Sequence, residues 1–223
     1  MSWIIEQRWN HVLFLNWKVD PSSIQGQIPF PLDLYDGKAV VSIVPFLMDR
    51  IRFPFTPVIP GLSRLWELNL RTYVKVNGIP GVYFFCLDTP NILGNWIAQN
   101  FFRLPYRFSR IESSVKNMDY NFESKGKDYL LNINANILSD KTTNPFQKWV
   151  TERYHLFLEK NGKSWRGDVI HEPWQVHSAK MNLIQGQFTH QIGHELPPHF
   201  DSIYYAEQIY VRFKPFREIS KIE

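Results

Sequence analysis

The chain predicts a mainly β fold: antiparallel strands with a few short helices, wound into a closed or nearly closed barrel. Three observations carry that expectation. From Leu65 to Val76 residue character alternates, with Trp66, Leu68, Leu70, Val74 and Val76 on one face and Glu67, Asn69, Arg71, Tyr73 and Lys75 on the other. That is the period of two that a strand imposes. Asn77-Gly78 and Asn161-Gly162 each separate two strand-like runs, as two-residue hairpin turns do. No composition shift, repeat or low-complexity linker divides the 223 residues, so 1–223 reads as a single domain. About ten or more strands in one sheet protect their edges best by closing.

In chain order, Trp9 to Asp20 reads as a first strand with aromatic residues packing on either side. Asp20-Pro21 starts a short helix through Ile24 and Ile28, because the Asp side chain caps the first turn and proline lacks only an amide that this turn cannot use. After the Asp36-Gly37 turn, Lys38 to Met48 is a second strand with a buried middle. Pro45 has no amide to give a ladder, which places the latter part of this strand at an edge or a bulge. Pro54, Pro57 and Pro60 make the stretch before Gly61 a loop packed by its own Phe53 and Phe55, a cover over one barrel end or the wall of a pocket entrance.

Beyond the alternating strand, Val82 to Leu87 is apolar on both faces, which implies cover on both sides. Asp88-Thr89-Pro90 marks a helix start, and Ile92, Leu93, Trp96, Ile97 and Phe101 repeat at helical spacing as far as Leu104-Pro105. Tyr106 to Lys116, Asn117 to Ser124 and Asp128 to Ile137 read as a meander. Asn144-Pro145 opens another short helix through Phe146, Trp149 and Val150. Tyr154 to Lys160 pairs with Ser164 to His171, and Ile203 to Phe213 closes the barrel ahead of a polar tail.

Composition bounds the function. Apolar residues make up 44% of the chain and eight are Trp, ample material for a core. No run of about eighteen apolar residues appears, so no membrane span is expected. Charge at Glu6 comes too early for a secretory signal, and a single cysteine, Cys86, excludes an internal disulfide. Both point to a reduced, cytoplasmic protein. A net charge of +4 raises the question of a nucleic-acid partner. The basic residues are scattered, however, and the basic and aromatic alternation from Phe101 to Phe108 is explained by a proline-containing bend, so no nucleic acid is expected. His190, His194 and His199 suggest a metal site, but Gly193 and Pro197-Pro198 weaken any shared helix. The order is not that of a His-Glu-x-x-His site either, so neither metal nor cofactor is expected.

Several motifs in order carry a resemblance. Trp9-Asn10-His11 through Asp20, Trp66 through Val74, Leu104-Pro105-Tyr106-Arg107, Glu152-Arg153-Tyr154 and His171-Glu172-Pro173-Trp174 together resemble the YqjF-like proteins, an uncharacterised and predominantly bacterial family. That family is similar, more distantly, to acetoacetate decarboxylase, which implies an antiparallel, cone-like β-barrel around a small-molecule pocket. In that enzyme a Tyr-Pro-Lys-Lys run supplies the Schiff-base amine and the cation that lowers its pKa. The matching run here sets Tyr106 at the nucleophile's place and Arg107 at the activating cation's. The resemblance also matches Glu67 to a pocket glutamate. It implies a retained pocket without Schiff-base decarboxylation.

The candidate site follows. If the polar row of the alternating strand faces a lumen, Glu67 is a proton carrier, and Arg71, Tyr106, Arg107 and Arg153 are contacts for a small, anionic organic molecule. Trp66, Phe85 and Trp174 are apolar walls, and His171 is a general base at the barrel mouth. An enzyme built this way is lyase-like without a covalent step, and a binder uses the same residues for recognition alone. The other reading is a structural or interaction protein with a self-filled barrel. In it the polar row wets an outer face or Glu67 and Arg71 neutralise each other, and Arg153 makes an internal salt bridge. Ligand and oligomeric state stay open.

Overall fold

The computed structural model describes residues 3–58, 64–90, 104–186, 192–193, 195–197 and 199–220. The helix expected between Asp88 and Leu104 lies almost entirely outside the described residues, as do His190 and His194. Thirteen strands are described: β1 Ile5–Val19, β2 Ala39–Arg52, β3 Arg64–Val76, β4 Ile79–Thr89, β5 Tyr106–Phe108, β6 Arg110–Lys116, β7 Asp119–Lys125, β8 Leu130–Thr142, β9 His155–Lys160, β10 Lys163–Ile170, β11 Val176–Gln185, β12 Ser202–Phe213 and β13 Arg217–Ile219. Two short helices accompany them, α1 Pro21–Gln25 and α2 Pro145–Thr151, each capped as expected, by Asp20 and Asn144, with proline in the first turn. No helix among the described residues is long and apolar enough to cross a membrane.

All the strands belong to one sheet. Seven form a hydrogen-bonded ring in the order β10, β9, β4, β3, β2, β1, β12, which returns to β10 through Val169 opposite Phe213 and Ile170 opposite Arg212. From β12 the sheet continues through β11, β8, β7 and β6. That wing packs on the outside of the ring, where Trp66 meets Tyr120 and Phe122 edge-on. The sheet therefore has two cores. One lies within the ring and includes Phe14, Phe46, Tyr73 and Val211. The other lies between the ring and the wing and includes Leu13, Leu70, Tyr120 and Ile133.

Asn77-Gly78 and Asn161-Gly162 turn with positive φ at both positions, 50° and 78°, then 56° and 69°, the twist that matches flanking strands. Pro45 lies at a bulge, as expected. His11, Val12, Leu13 and Phe14 face only Val44, Pro45 and Phe46, and His11 takes up the extra residue at φ 52°. The fold departs from a purely antiparallel sheet where β4 pairs in parallel with β5 and β9. β11 and β13 were not foreseen. Most of β11 alternates only between half-buried and exposed positions, and β13 is three residues in a polar tail, so neither carries a strong apolar period.

Candidate functional site

The ring surrounds a cavity of about 380 Å³, within the range of small-molecule sites. Its walls are the inward faces of the strands: Ile5, Gln7 and Trp9 from β1, Met48 and Ile51 from β2, Leu65, Glu67, Asn69 and Arg71 from β3, and Val82, Phe84, Leu87 and Thr89 from β4. Tyr106, Arg153, His171, Trp174, Phe213 and Phe216 complete much of the rest. The polar row of β3 thus faces inward, which alternation allows but cannot decide.

Glu67 is 3% exposed and accepts a hydrogen bond of 2.8 Å from the Tyr106 hydroxyl. Burial raises its pKa to about 8, and the nearby charge of Asp88 adds to the rise against the opposing Tyr106 hydrogen bond. Glu67 is therefore a neutral acid at pH 7. Burial, and then Glu67 itself, push the Tyr106 phenol upward. Arg71 is 8% exposed. Its Nη2 donates to the Val150 carbonyl at 3.2 Å and to the Tyr73 hydroxyl at 3.4 Å, and the guanidinium lies 5.5 Å from the Phe14 ring centroid. Among the described residues no carboxylate pairs with Arg71, and its Nε has no partner. Asn69 Oδ1 and Thr89 Oγ1, also on lining residues, are likewise buried without a partner.

Arg153 also reaches the cavity, but its charge is answered by Asp33 at 2.6 Å, and its Nε donates to the Trp149 carbonyl at 2.6 Å. Burial lowers its pKa, and Asp33 restores part of the loss. The internal salt bridge weighed for Arg153 is thus present, with an aspartate as the acid. With Glu67 neutral and Arg153 paired, the cavity retains the charge of Arg71, unmatched among the described residues. His171 and Trp174 stand together at the wall. His171 stacks on Tyr154 at 4.5 Å and meets Trp174 edge-on at 5.4 Å, and Glu152 holds this corner by accepting from the Trp174 amide at 2.9 Å and from the Tyr154 hydroxyl.

Three expected site residues lie elsewhere. Trp66 points to the outer core. Arg107 bonds Asp88 through two nitrogens, each at 2.7 Å, and also touches Cys86 Sγ. Burial works against the Arg107 charge, but the Asp88 bonds outweigh it and raise its pKa. Tyr106 and Arg107 are neighbours on β5, so their side chains take opposite faces, and only Tyr106 looks inward. Phe85 is the extra residue of a bulge: Leu70 pairs with Cys86 and Arg71 with Phe84, which leaves Phe85 unpaired. Past it the inward set changes from Val82 and Phe84 to Leu87 and Thr89. One inserted residue inverts the faces of a strand, so the wall residue is Phe84. Phe85 packs on Tyr83 in the outer core.

Thr89, Trp9 and Phe84 were missed as site residues. Asn69 stood in the same polar row and was expected to line the lumen with it, but without a role of its own. Thr89 read as a helix cap, whereas it ends β4. His155 borders the cavity with Nδ1 3.0 Å from Asp168 Oδ1. Alternation along β9 and β10 sets this pair on the face opposite Leu156 and Val169, outside the ring, where Asp168 also pairs with Arg166 and Arg217. No three His, Cys, Asp or Glu side chains gather as a metal site among the described residues.

The family model DUF2071, described as an uncharacterized conserved protein, matches residues 6–210. The uncharacterized protein YqjF of Bacillus subtilis (strain 168) is 35% identical over 98% of this chain and 93% of its own. Among solved structures, an acetoacetate decarboxylase-like enzyme from Sphingomonas wittichii RW1 superposes with a TM-score of 0.68 at 10% identity, covering 100% of this chain and 95% of that one. Acetoacetate decarboxylase from Legionella pneumophila gives 0.68 at 12% identity over 96% and 87%. The enduracididine biosynthesis enzyme MppR complexed with pyruvate gives 0.66 at 11% identity over 99% and 92%. At such identities the likeness establishes an acetoacetate decarboxylase-like fold.

Proposed function

Because this chain belongs to DUF2071, a family of uncharacterized conserved proteins, we propose that it binds a small organic carboxylate inside the ring, which we read as a barrel. Arg71 holds the anion, and neutral Glu67 is the proton donor if reaction follows. The observation that carries this reading is the buried Arg71 guanidinium, with Nε unpartnered and no carboxylate partner among the described residues. A buried charge is costly unless something pairs with it, and an anionic ligand supplies the missing partner. The solved MppR complex with pyruvate supports a carboxylate as occupant of this fold.

Reaction, where it occurs, is acid/base and lyase-like. Tyr106 stands at the place the resemblance gives to a Schiff-base lysine, and none of the described lining residues is a lysine. A self-filled barrel is disfavoured by the cavity and by the lack of an ion pair between Glu67 and Arg71. We place the protein in a reducing, cytoplasmic setting, where the buried thiol of Cys86 stays free.

A thermal-shift series tests the reading. Small carboxylates, pyruvate included, should raise the Tm while their primary amides do not, because only a ligand of the native state stabilises it. The difference should vanish in Arg71→Met. Equal shifts for acids and amides overturn the anion site. A borohydride-trapped keto-acid adduct on a lysine overturns the non-covalent mechanism.

A further inference from the structure

The two polar ends of the cavity are set by one strand. Glu67 and Arg71 are four positions apart on β3, so their Cα atoms stand roughly 13 Å apart along it, at about 3.3 Å per residue. Beside Glu67 lies the buried Thr89 Oγ1 and midway between Glu67 and Arg71 the buried Asn69 Oδ1, both without hydrogen-bond partners among the described residues. The β3–β4 register, Leu68 opposite Asp88 and Asn69 opposite Leu87, brings Thr89 beside Glu67. An amide oxygen accepts, a threonine hydroxyl gives or takes, and a protonated carboxyl can give. A ligand hydroxyl answers both kinds of demand at once.

The apolar walls are aromatic, with Phe84 paired to Arg71 at one end and Trp9 in register with Met48 and Leu65, past Glu67, at the other. Trp9, Phe84, Trp174 and Phe213 border the cavity. Trp9 stacks on Trp174 at 6.3 Å and lies tilted 6.2 Å from Phe213, so these rings hold one another in place. A cavity of about 380 Å³ lies within the range of small-molecule sites. A three-carbon acid on Arg71 leaves much of that space unfilled and stops short of Thr89, which the register sets beside Glu67. The unpartnered atoms and the aromatic walls thus demand the same thing, a longer and flatter molecule.

Resting on the reading of Arg71 as the anion site, we propose that the ligand is a hydroxylated arylalkanoate. Its carboxylate lies on Arg71, its ring lies among Trp9, Phe84, Trp174 and Phe213, and its hydroxyl meets Asn69 and Thr89. The three parts contribute separately, so they can be removed separately.

Calorimetric titration of the full chain with 3-(4-hydroxyphenyl)propanoate, 3-phenylpropanoate, propanoate and the primary amide of the first acid tests this. The ring should tighten binding at least about tenfold over propanoate. The hydroxyl should add about fivefold more. The amide should bind at least about tenfold more weakly than its acid. In Thr89→Val and in Asn69→Leu the hydroxyl preference, the affinity ratio of the hydroxylated to the plain aryl acid, should shrink; two independent variants guard against one that fails to fold. Propanoate binding as tightly as the aryl acids overturns the arylalkanoate and leaves the anion site standing. A hydroxyl without effect overturns the role of Asn69 and Thr89. Failure of every acid to bind a cooperatively melting protein overturns the anion site itself.

Discussion

The two faces of β3 and β4 solve the problem of buried charge in opposite ways. On the outer face Asp88, 0% exposed, takes two hydrogen bonds from Arg107 and one from Tyr129. Ser109 and Ser124 bond each other and the same tyrosine. On the inner face Glu67 has a phenol for a partner, and among the described residues Arg71 has no carboxylate and two neutral oxygens have no partner at all. Acid and base are matched outside and held apart inside, although the two carboxyls sit on adjacent strands. Buried groups matched within a protein serve its stability; groups left unmatched around a cavity point to a ligand.

The largest effect should come from breaking the matched face. Asp88→Ala strands Arg107 and should cost about 2 to 4 kcal/mol in urea denaturation, toward the lower figure because Arg107 retains partial contact with water. A cost near zero would erase the contrast.

Next comes the pH dependence of Glu67. Its folded pKa, about 8, lies above the ordinary value of 4.5, so the folded state holds the extra proton between those limits. Its contribution is therefore fully present below about pH 4.5 and is lost as pH rises to about 8, at up to about 1.4 kcal/mol per pH unit. Glu67→Gln should flatten that decline, and its advantage over wild type should grow toward pH 8 in parallel melts. Unchanged pH profiles would mean that Glu67 titrates as if exposed.

Arg71→Met should weaken carboxylate binding at least about tenfold, equivalent to about 1.4 kcal/mol, without lowering Tm. An apolar replacement of an unpaired buried charge is neutral or stabilising, and Tyr73 still donates to the Val150 carbonyl at 3.1 Å. A large fall in Tm would place Arg71 among the structural residues. The smallest effects sharpen the contrast further. Ser124→Ala, on the matched face, should cost about 1 kcal/mol, whereas Thr89→Val should be neutral or slightly stabilising, because its buried hydroxyl has no partner among the described residues to lose. Equal costs in the two melts would remove the distinction.

Legibility followed the range of the physics. The Asp20 and Asn144 caps, the Asn-Gly turns and the bulge at Pro45 depend on a few neighbouring residues and could be read from them. Phe85 was misread as a wall because it is itself the unpaired residue of a bulge that changes parity along β4, and no local rule locates that bulge. Arg107 was misread because its partner, Asp88, lies 19 residues away on a parallel neighbour. Glu67, Arg71 and Tyr106 were legible as candidates through alternation and resemblance.

Left to itself, the sequence determined the strand periods, most of the turns and both described helix starts, since backbone geometry and capping act within a few residues. It also supplied the charged and aromatic groups now in the cavity. Only the tertiary structure decided which face of β3 looks inward, which arginine keeps a carboxylate and which does not. Those outcomes depend on the closing of the ring and on a single unpaired residue in β4, and both arise from contacts between distant strands.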